Sequence, residues 1–488
     1  MNAAGVAQAT DNWGPEALRQ LRKERERQQD KAAERRDDWI RSNQYYYSRL
    51  ARMLQYIVEP NKRVLEVRCQ TGYFLASVQP QHGVGIEISQ AMVDRAQANH
   101  PGLRFLRAEP EELELGETFD YVLFDHIFDT IDILRAFERV RAHCTENTRF
   151  VVINYNHFWQ PTLELASKMG LRSRFVEPNW VSEHDVRGFL KLAGFSRTRT
   201  YRAFLWPKRI PLLSAFVNGF VARLPGLRRL CMMQVIVARP VPTEAPARSD
   251  VTVSVVVPCK NEEGNVQTAV ERIPALGRHT EIIFCNDKST DRTAEEVLRM
   301  QKLYPSKDIR LVEGPGICKA ENVWAGFRAA RGDVLMILDA DLSVMPEELP
   351  TFLNVLLDGR GEFANGSRLV YPMQRYAMKF ANMIGNKLFG LAFSFLLDQR
   401  IKDTLCGTKV LWRKDWIRME PNLGSWGIRD LWGDYELLFG ASRLGLEIAE
   451  VPVHYQERIY GATKMTKVFA NGLRMVRICW HAWRRLGG

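Results

Sequence analysis

The chain has 488 residues, too many for one hydrophobic core and suited to two or three domains. Its 46% hydrophobic and 26% charged residues are those of a folded globular protein, and a net charge of +11 favours anionic partners: nucleotide phosphates, lipid phosphates or an anionic membrane face. Eight scattered cysteines with no zinc-ligand spacing read as reduced thiols, no zinc-finger or RNA-recognition motif argues for nucleic acid, no secretory signal core is present, and no clean apolar run of 18 residues predicts a spanning helix.

Residues 1–44 are polar, with charges of both signs crowded between Arg19 and Asp38, which predicts an exposed helix or a disordered lead-in. Residues 45–58 supply apolar side chains for a packed helix. From 63 to 155, strands at 63–67, 84–88, 104–106, 119–124 and 149–154 alternate with helices such as 90–99. This βαβ rhythm predicts a parallel sheet with helices on both faces, within a domain spanning 45–238. Residues 239–250, rich in proline and alanine, predict a linker. The alternation restarts with strands at 251–257, 281–285 and 334–338, then gives way after about 345 to a more helical, apolar region. Two doubly wound α/β domains are therefore expected, the second with a helical C-terminal region.

Residues 380–397 are the longest apolar stretch, but Asn382, Asn386 and Lys387 make it an interfacial or core helix. In the tail, 466–488, Phe469, Leu473, Val476, Trp480 and Trp483 recur at helical spacing beside Lys467, Arg474, Arg477, Arg484 and Arg485. Such a basic amphipathic helix suits an anionic leaflet, or packing on its own domain.

The apolar strand Val334–Leu338 ends in Asp339-Ala340-Asp341. Residues two apart on an extended chain share a side, so two carboxylates meet just past a strand tip. Mg²⁺ and Mn²⁺ take few protein oxygens and complete their shell with phosphates, which such a pair suits; the plainer alternative is a solvated acidic turn. Pro258-Cys259-Lys260-Asn261-Glu262-Glu263 follows the first strand of this domain. Asn286-Asp287 with Ser289-Thr290-Asp291 follows the second, and Gly314-Pro315-Gly316 with Lys319 the third. Strand carboxyl ends are where ligands sit in open α/β sheets.

This order continues with Gly366-Ser367-Arg368, Arg458 and Tyr460-Gly461-Ala462-Thr463-Lys464. Over 251–465 it resembles family 2 glycosyltransferases of GT-A fold, and among them the dolichol- or polyprenyl-phosphate sugar transferases. The resemblance implies an inverting, metal-dependent transfer of a sugar from a nucleotide-sugar donor to a polyprenyl phosphate or a cell-envelope glycan. It also implies a cytoplasmic protein peripheral to the inner face of the membrane. Pro258, Glu262, Asp287, Lys319 and Asp339 would line the nucleotide sugar, Asp339 and Asp341 would hold Mg²⁺ or Mn²⁺, and Arg368, Arg458 and Lys464 would meet the acceptor and its phosphates. A hydroxyl acceptor needs a general base, and Asp434 and Glu436 stand where related enzymes hold one. With a phosphate acceptor Asp434 becomes a positioning residue, and a helix-start acid is the structural alternative. Ser343 departs from the family, whose lipid-phosphate members often carry Gln there.

In the first domain Val64-Leu65-Glu66-Val67-Arg68-Cys69-Gln70-Thr71-Gly72, Gly85-Ile86-Glu87-Ile88-Ser89 and Phe119-Asp120-Tyr121-Val122 resemble class I S-adenosylmethionine-dependent methyltransferases. The resemblance implies S-adenosylmethionine bound at Glu66, Gly72, Glu87 and Glu109, with Glu87 on the ribose hydroxyls, Glu109 by the adenine and Glu66 near the methionyl amine. The family's Gly-x-Gly-x-Gly loop keeps one glycine here, since Arg68 and Gln70 replace the first two. Those glycines permit a tight turn and close backbone approach to the ligand. Three readings stay open: the domain methylates the product of the second, methylation is an independent activity, or the domain is a non-catalytic scaffold. His126, Asp129 and 154–157 line the expected cleft with no assigned role.

Overall fold

The computed structural model describes residues 15–169, 179–242, 246–370, 380–425, 430–456 and 468–486. The chain forms two compact units, divided between Val241 and Pro242.

In the first unit β1 (Arg63–Val67), β2 (His82–Glu87), β3 (Arg104–Arg107), β4 (Phe119–Phe124), β5 (Cys144–Tyr155), β6 (Phe195–Ala203) and β7 (Met233–Pro240) form one sheet, ordered β3-β2-β1-β4-β5-β7-β6. The first five are parallel. β7 runs antiparallel to both neighbours, a reversal the βαβ rhythm did not announce. Central strands are largely apolar because both faces are covered: Val64, Leu123 and Val151 enter one core, and Leu65, Val122 and Val152 the other. Arg239 and Pro240, expected in the linker, instead close β7, where Pro240 pairs opposite Phe195 at the strand end that a proline tolerates.

The polar lead-in is a long docked helix, Pro15–Ser42, rather than an exposed or disordered one. Arg25, Gln29, Ala33 and Ile40 are buried along one face. Ion pairs Arg22–Glu112 (2.9 Å), Asp37–Arg95 (2.6 Å) and Glu26–Arg107 tie it to the loops and helix that follow β2 and β3. Its anchors are polar, so no apolar periodicity marked it. The next helix, Gln44–Ile57, buries Tyr47, Leu50, Met53, Leu54 and Ile57.

In the second unit β8 (Thr252–Cys259), β9 (His279–Asn286), β10 (Asp308–Glu313), β11 (Val334–Ile337), β12 (Phe363–Ser367), β13 (Lys409–Trp412) and β14 (Ile448–Pro452) form a sheet ordered β10-β9-β8-β11-β13-β12-β14. β8 to β11 are parallel, and β13 runs antiparallel to β11 and β12. The last three strands lie where the sequence suggested mainly helix. Each is four or five residues long, too short for a period of two to stand out. The helices Phe380–Leu397 and Val468–Leu486 pack on each other. The tail helix buries Met475, Ile478 and Ala482, while Leu473, Val476 and Trp480 from the expected stripe stay exposed. Among the described residues no helix is long and apolar enough to cross a membrane.

Trp416 is almost fully buried, stacked on Trp324 with centroids 4.9 Å apart and edge-on to Phe327 at 5.0 Å. Trp416→Ala is expected to destabilise the second unit by about 3–5 kcal/mol. Denaturant titration followed by far-ultraviolet circular dichroism measures this, and an unshifted midpoint would contradict the packing.

Candidate functional site

The chain leaves β8 toward β9 and β10, then returns to β11 on the other side of β8. This is a topological switch point, which opens a crevice at the strand carboxyl ends. Pro258 lies at the end of β8 opposite Cys285 of β9. Asp287 follows β9, is buried, and donates its backbone N–H to the Cys259 carbonyl at 2.8 Å. Lys260 reaches its Oδ2 at 3.2 Å, while its Oδ1 is buried with no hydrogen-bond partner. A buried carboxylate oxygen left open is an acceptor for a ligand N–H or hydroxyl. Glu262, at the start of the helix Glu263–Arg272, is buried, accepting from the Asn265 amide at 2.8 Å, and its backbone N–H bonds Thr293.

Asp339 and Asp341 follow β11. Lys319, the first residue of the helix Lys319–Ala329, meets Asp339 Oδ1 at 2.5 Å. Burial alone would raise the Asp339 carboxyl, but Lys319, Lys409 and Arg368 hold it below the ordinary aspartate value. Burial alone would lower the Lys319 ammonium, but Asp339, with Asp434 and Asp341 behind it, keeps it above its own. Asp341 Oδ1 accepts from the Ser343 hydroxyl at 2.8 Å, so the serine at the expected Gln position braces the second aspartate. Gly407 packs so close that a Cβ there would stand 2.1 Å from Asp339 Oδ2.

Gly314 and Gly316 allow close packing, since a Cβ on the first would strike Asn322 and on the second Lys288. Arg368, expected at the acceptor phosphate, is engaged within the protein. Its Nε and Nη2 grip Asp403 at 2.7 and 2.9 Å in a buried fork. Asp403 also accepts from Asn386 at 2.7 Å. Burial opposes ionisation of Asp403, yet Arg368 and Asn386 hold its carboxyl at about 2. Asp434 is paired with the fully buried Lys409 at 2.7 Å. The cap of its helix is Asp430, which accepts from the backbone N–H groups of Tyr435 and Glu436. Glu436 lines a small cavity with Met419, Asn422 and Arg443, where burial lifts its carboxyl to about 7. Arg458 and Lys464 lie outside the described residues.

The first unit has its own switch point between β1 and β4. There Arg68 sets its guanidinium against Glu87 at 3.2 Å and against Asp129. The Gln70 backbone N–H bonds the second Glu87 oxygen at 3.0 Å, and the Gln70 amide meets His126 at 2.8 Å. Gln29 of the first helix adds a bond to Asp129 at 3.1 Å. Glu66 is buried and accepts from Leu75 at the start of the helix Tyr73–Ser77; burial and then Asp125 raise its carboxyl well above the ordinary range. Burial, with Glu111 adding, lifts Glu109 to about 6. Gly72 has φ +77°, and a Cβ on it would meet the Phe105 ring at 2.6 Å.

Residues 254–418 match the family model described as glycosyl transferase family 2, and residues 35–199 match one described as a methyltransferase domain. The chain joins a methyltransferase-type domain to a family 2 glycosyltransferase domain. It is 39% identical over 120 residues to a dolichol-phosphate mannosyltransferase of Pyrococcus furiosus, covering 24% of this chain and 33% of that protein. It is 30% identical over 237 residues to the low-salt glycan biosynthesis hexosyltransferase Agl6 of Haloferax volcanii, covering 47% and 54%. With an undecaprenyl-phosphate 4-deoxy-4-formamido-L-arabinose transferase of Pectobacterium carotovorum it shares 35% over 111 residues, covering 22% and 34%. The matched stretches thus span a third to a half of those relatives' lengths.

The methyltransferase-type crevice does not fit S-adenosylmethionine. Arg68, Gln70 and Gly72 keep the left-handed backbone of a three-glycine loop, with φ of 64°, 51° and 77°. Two of these positions nevertheless carry side chains, and left-handed backbone is costly for them. Glu87, expected on the ribose hydroxyls, has both oxygens engaged by Arg68, the Gln70 N–H and the Ile88 N–H. Glu66 caps a helix instead of facing an amine.

Sequence reading missed Lys409, Asp403, Gly407, Asp430 and the Arg68–Asp129 pair. One signal was available: Lys409 opens an otherwise apolar strand, Val410-Leu411-Trp412, and a lysine there needs an acid.

Two outcomes follow. Asp403 has a depressed folded value, so its stabilising share is present above pH about 4 and disappears as pH falls toward about 2. It amounts to about 2 kcal/mol. Asp403→Asn should flatten that acid limb in pH-resolved melting curves. For the first domain, Arg68→Gly strips the cation from buried Glu87, leaves Asp129 with Arg25 at 3.6 Å, and should cost about 3–5 kcal/mol. The unmutated protein should show no melting shift with millimolar S-adenosylhomocysteine; a clear rise would show that the crevice accepts the cofactor.

Proposed function

We propose that the second unit is an inverting, metal-dependent glycosyltransferase that moves one sugar from a nucleotide sugar to a lipid phosphate. The observation that carries this is the crevice at the β8–β11 switch point. It sets the open Asp287 oxygen, Lys319 and the Asp339–Asp341 pair at one sheet edge. The dolichol-phosphate and undecaprenyl-phosphate relatives favour the lipid-phosphate acceptor.

Two aspartates after a buried strand are a suitable donor set for Mg²⁺ or Mn²⁺, both all-oxygen ions that leave positions for phosphates. Asp339 and Asp341 would hold the ion, which would offset negative charge on the departing nucleoside diphosphate. Lys319 adds a fixed positive charge beside them, preorganised by its pair with Asp339. Asp287 and Glu262 would read the nucleoside. In the transfer, an acceptor phosphate oxygen forms a bond to the anomeric carbon from the face opposite the leaving diphosphate. The electron pair of the broken carbon–oxygen bond leaves with the diphosphate. A phosphate nucleophile is already anionic and needs no strong base, which agrees with Asp434 being neutralised by Lys409. Asp434 then holds Lys409 and the wall of the site as a positioning residue. Arg368 does the same for the 403–408 loop, and the acceptor-phosphate role falls to Arg458 and Lys464.

The exposed Leu473, Val476 and Trp480, with Arg474 and Arg477 between them, support a peripheral seat on an anionic leaflet. The methyltransferase-type unit acts in this reading as a non-catalytic module.

The test is transfer from UDP- and GDP-sugars with Mn²⁺ or Mg²⁺, with and without a polyprenyl phosphate. Turnover should require both the ion and the lipid phosphate. Asp341→Ala should lower it by about a thousandfold with an unchanged melting temperature. Unaltered turnover in that variant would remove the metal assignment.

A further inference from the structure

The connection from β6 to β7, residues 204–232, is built inside out. Its short helix Leu213–Gly219 buries the polar Ser214 and Asn218. Phe204, Ala222, Cys231 and Met232 are buried, but most of its large apolar residues face outward: Leu212 is 89% exposed and Phe216 58%, with Trp206, Ile210, Leu213, Phe220, Leu227 and Leu230 also exposed. The arrangement is fixed rather than loose. Asn218 Oδ1 accepts the backbone N–H groups of Leu205 and Trp206 at 2.9 and 3.0 Å. Its amide donates to the Trp206 carbonyl at 2.6 Å and to the Tyr45 hydroxyl at 3.0 Å. Ser214 accepts from the Ile210 N–H at 2.6 Å and donates to the Lys208 carbonyl at 2.8 Å. Arg49, in the helix Gln44–Ile57, bonds the Asn218 carbonyl at 3.0 Å.

A segment in water folds the other way, with Leu and Phe inward and Asn and Ser outward. Here the hydrogen bonds that satisfy the buried amide and hydroxyl hold the apolar side chains outside. A contiguous exposed apolar patch of this kind marks an interaction surface.

The charge around the patch identifies the occupant. Between Phe204 and Cys231 stand Lys208, Arg209, Arg223, Arg228 and Arg229, and no aspartate or glutamate. Lys208, Arg209 and Arg229 are exposed among the apolar residues. Leucine and phenylalanine for the acyl region, tryptophan for the boundary and a purely basic rim are the composition of an interfacial membrane anchor.

We propose that this insertion docks the methyltransferase-type domain onto an anionic lipid leaflet, with Leu212, Leu213, Phe216 and Phe220 entering the headgroup–acyl boundary and the basic residues pairing with lipid phosphates. The inference stands apart from the transfer chemistry and from the tail helix of the other unit.

The test uses the full chain in flotation with phosphatidylcholine vesicles containing phosphatidylglycerol, and with phosphatidylcholine alone. The expected result is co-flotation with the anionic vesicles that weakens with salt and is at least tenfold lower in the Leu212→Glu/Phe216→Glu variant. Both positions are exposed, so that variant should keep its melting temperature and, with a soluble acceptor analogue, its sugar-transfer rate. Lys208→Glu/Arg209→Glu should lose the preference for anionic lipid. Equal flotation of the Glu variant and the unmutated protein would overturn the proposal. So would an unmutated protein that ignores vesicles, or one that self-associates through the patch in lipid-free solution while the variant stays monomeric.

Discussion

The structure depends on one constraint: a charge placed at the carboxyl end of a buried strand must find a partner there. Both units put acids at that edge of their sheets, and each unit meets the requirement differently. In the glycosyltransferase domain Lys319–Asp339, Lys409–Asp434 and Arg368–Asp403 pair the buried charges, and one oxygen of Asp287 is left open. In the methyltransferase-type domain Arg68 meets it from within, bridging Glu87 and Asp129, so that the acid expected on the ribose hydroxyls is already engaged. Isolated buried carboxylates are costly, and a guanidinium with a planar fork of donors is the side chain that satisfies two of them together.

That contrast assigns different work to two similar sheets. The 68–72 loop holds left-handed backbone at Arg68 and Gln70, where a side chain makes it costly. The buried ion pairs offset this strain. In the second domain Gly407 has the reverse role. It keeps open the narrow space beside Asp339 that any side chain would fill.

Two apolar surfaces lie outside the cores, one on each unit: the insertion around Leu212 and Phe216, and the tail stripe of Leu473, Val476 and Trp480. Both carry basic neighbours. Neither belongs to a spanning helix. The proposed lipid-phosphate acceptor supplies a physical reason for such surfaces, because its phosphate would stay at the headgroup level while its chain remained in the acyl region.

The sequence by itself determined the two α/β alternations, the apolar central strands, the place of the carboxylates after β11 and the break near residue 241. All of these are local: a period of two, a proline-rich gap, or residues two apart on one strand. It also exposed the damaged glycine loop at 68–72. Only the tertiary structure decided what replaced those glycines, because Arg68 and Asp129 are far apart in the chain and meet only when β1 and β4 pair. The same holds for Lys409 with Asp434 and for Arg368 with Asp403. It holds too for the polar helix at residues 15–42, whose buried face follows no apolar period, and for the insertion at 204–232. There Asn218 and Ser214 hold the inward positions and leave leucines and phenylalanines exposed.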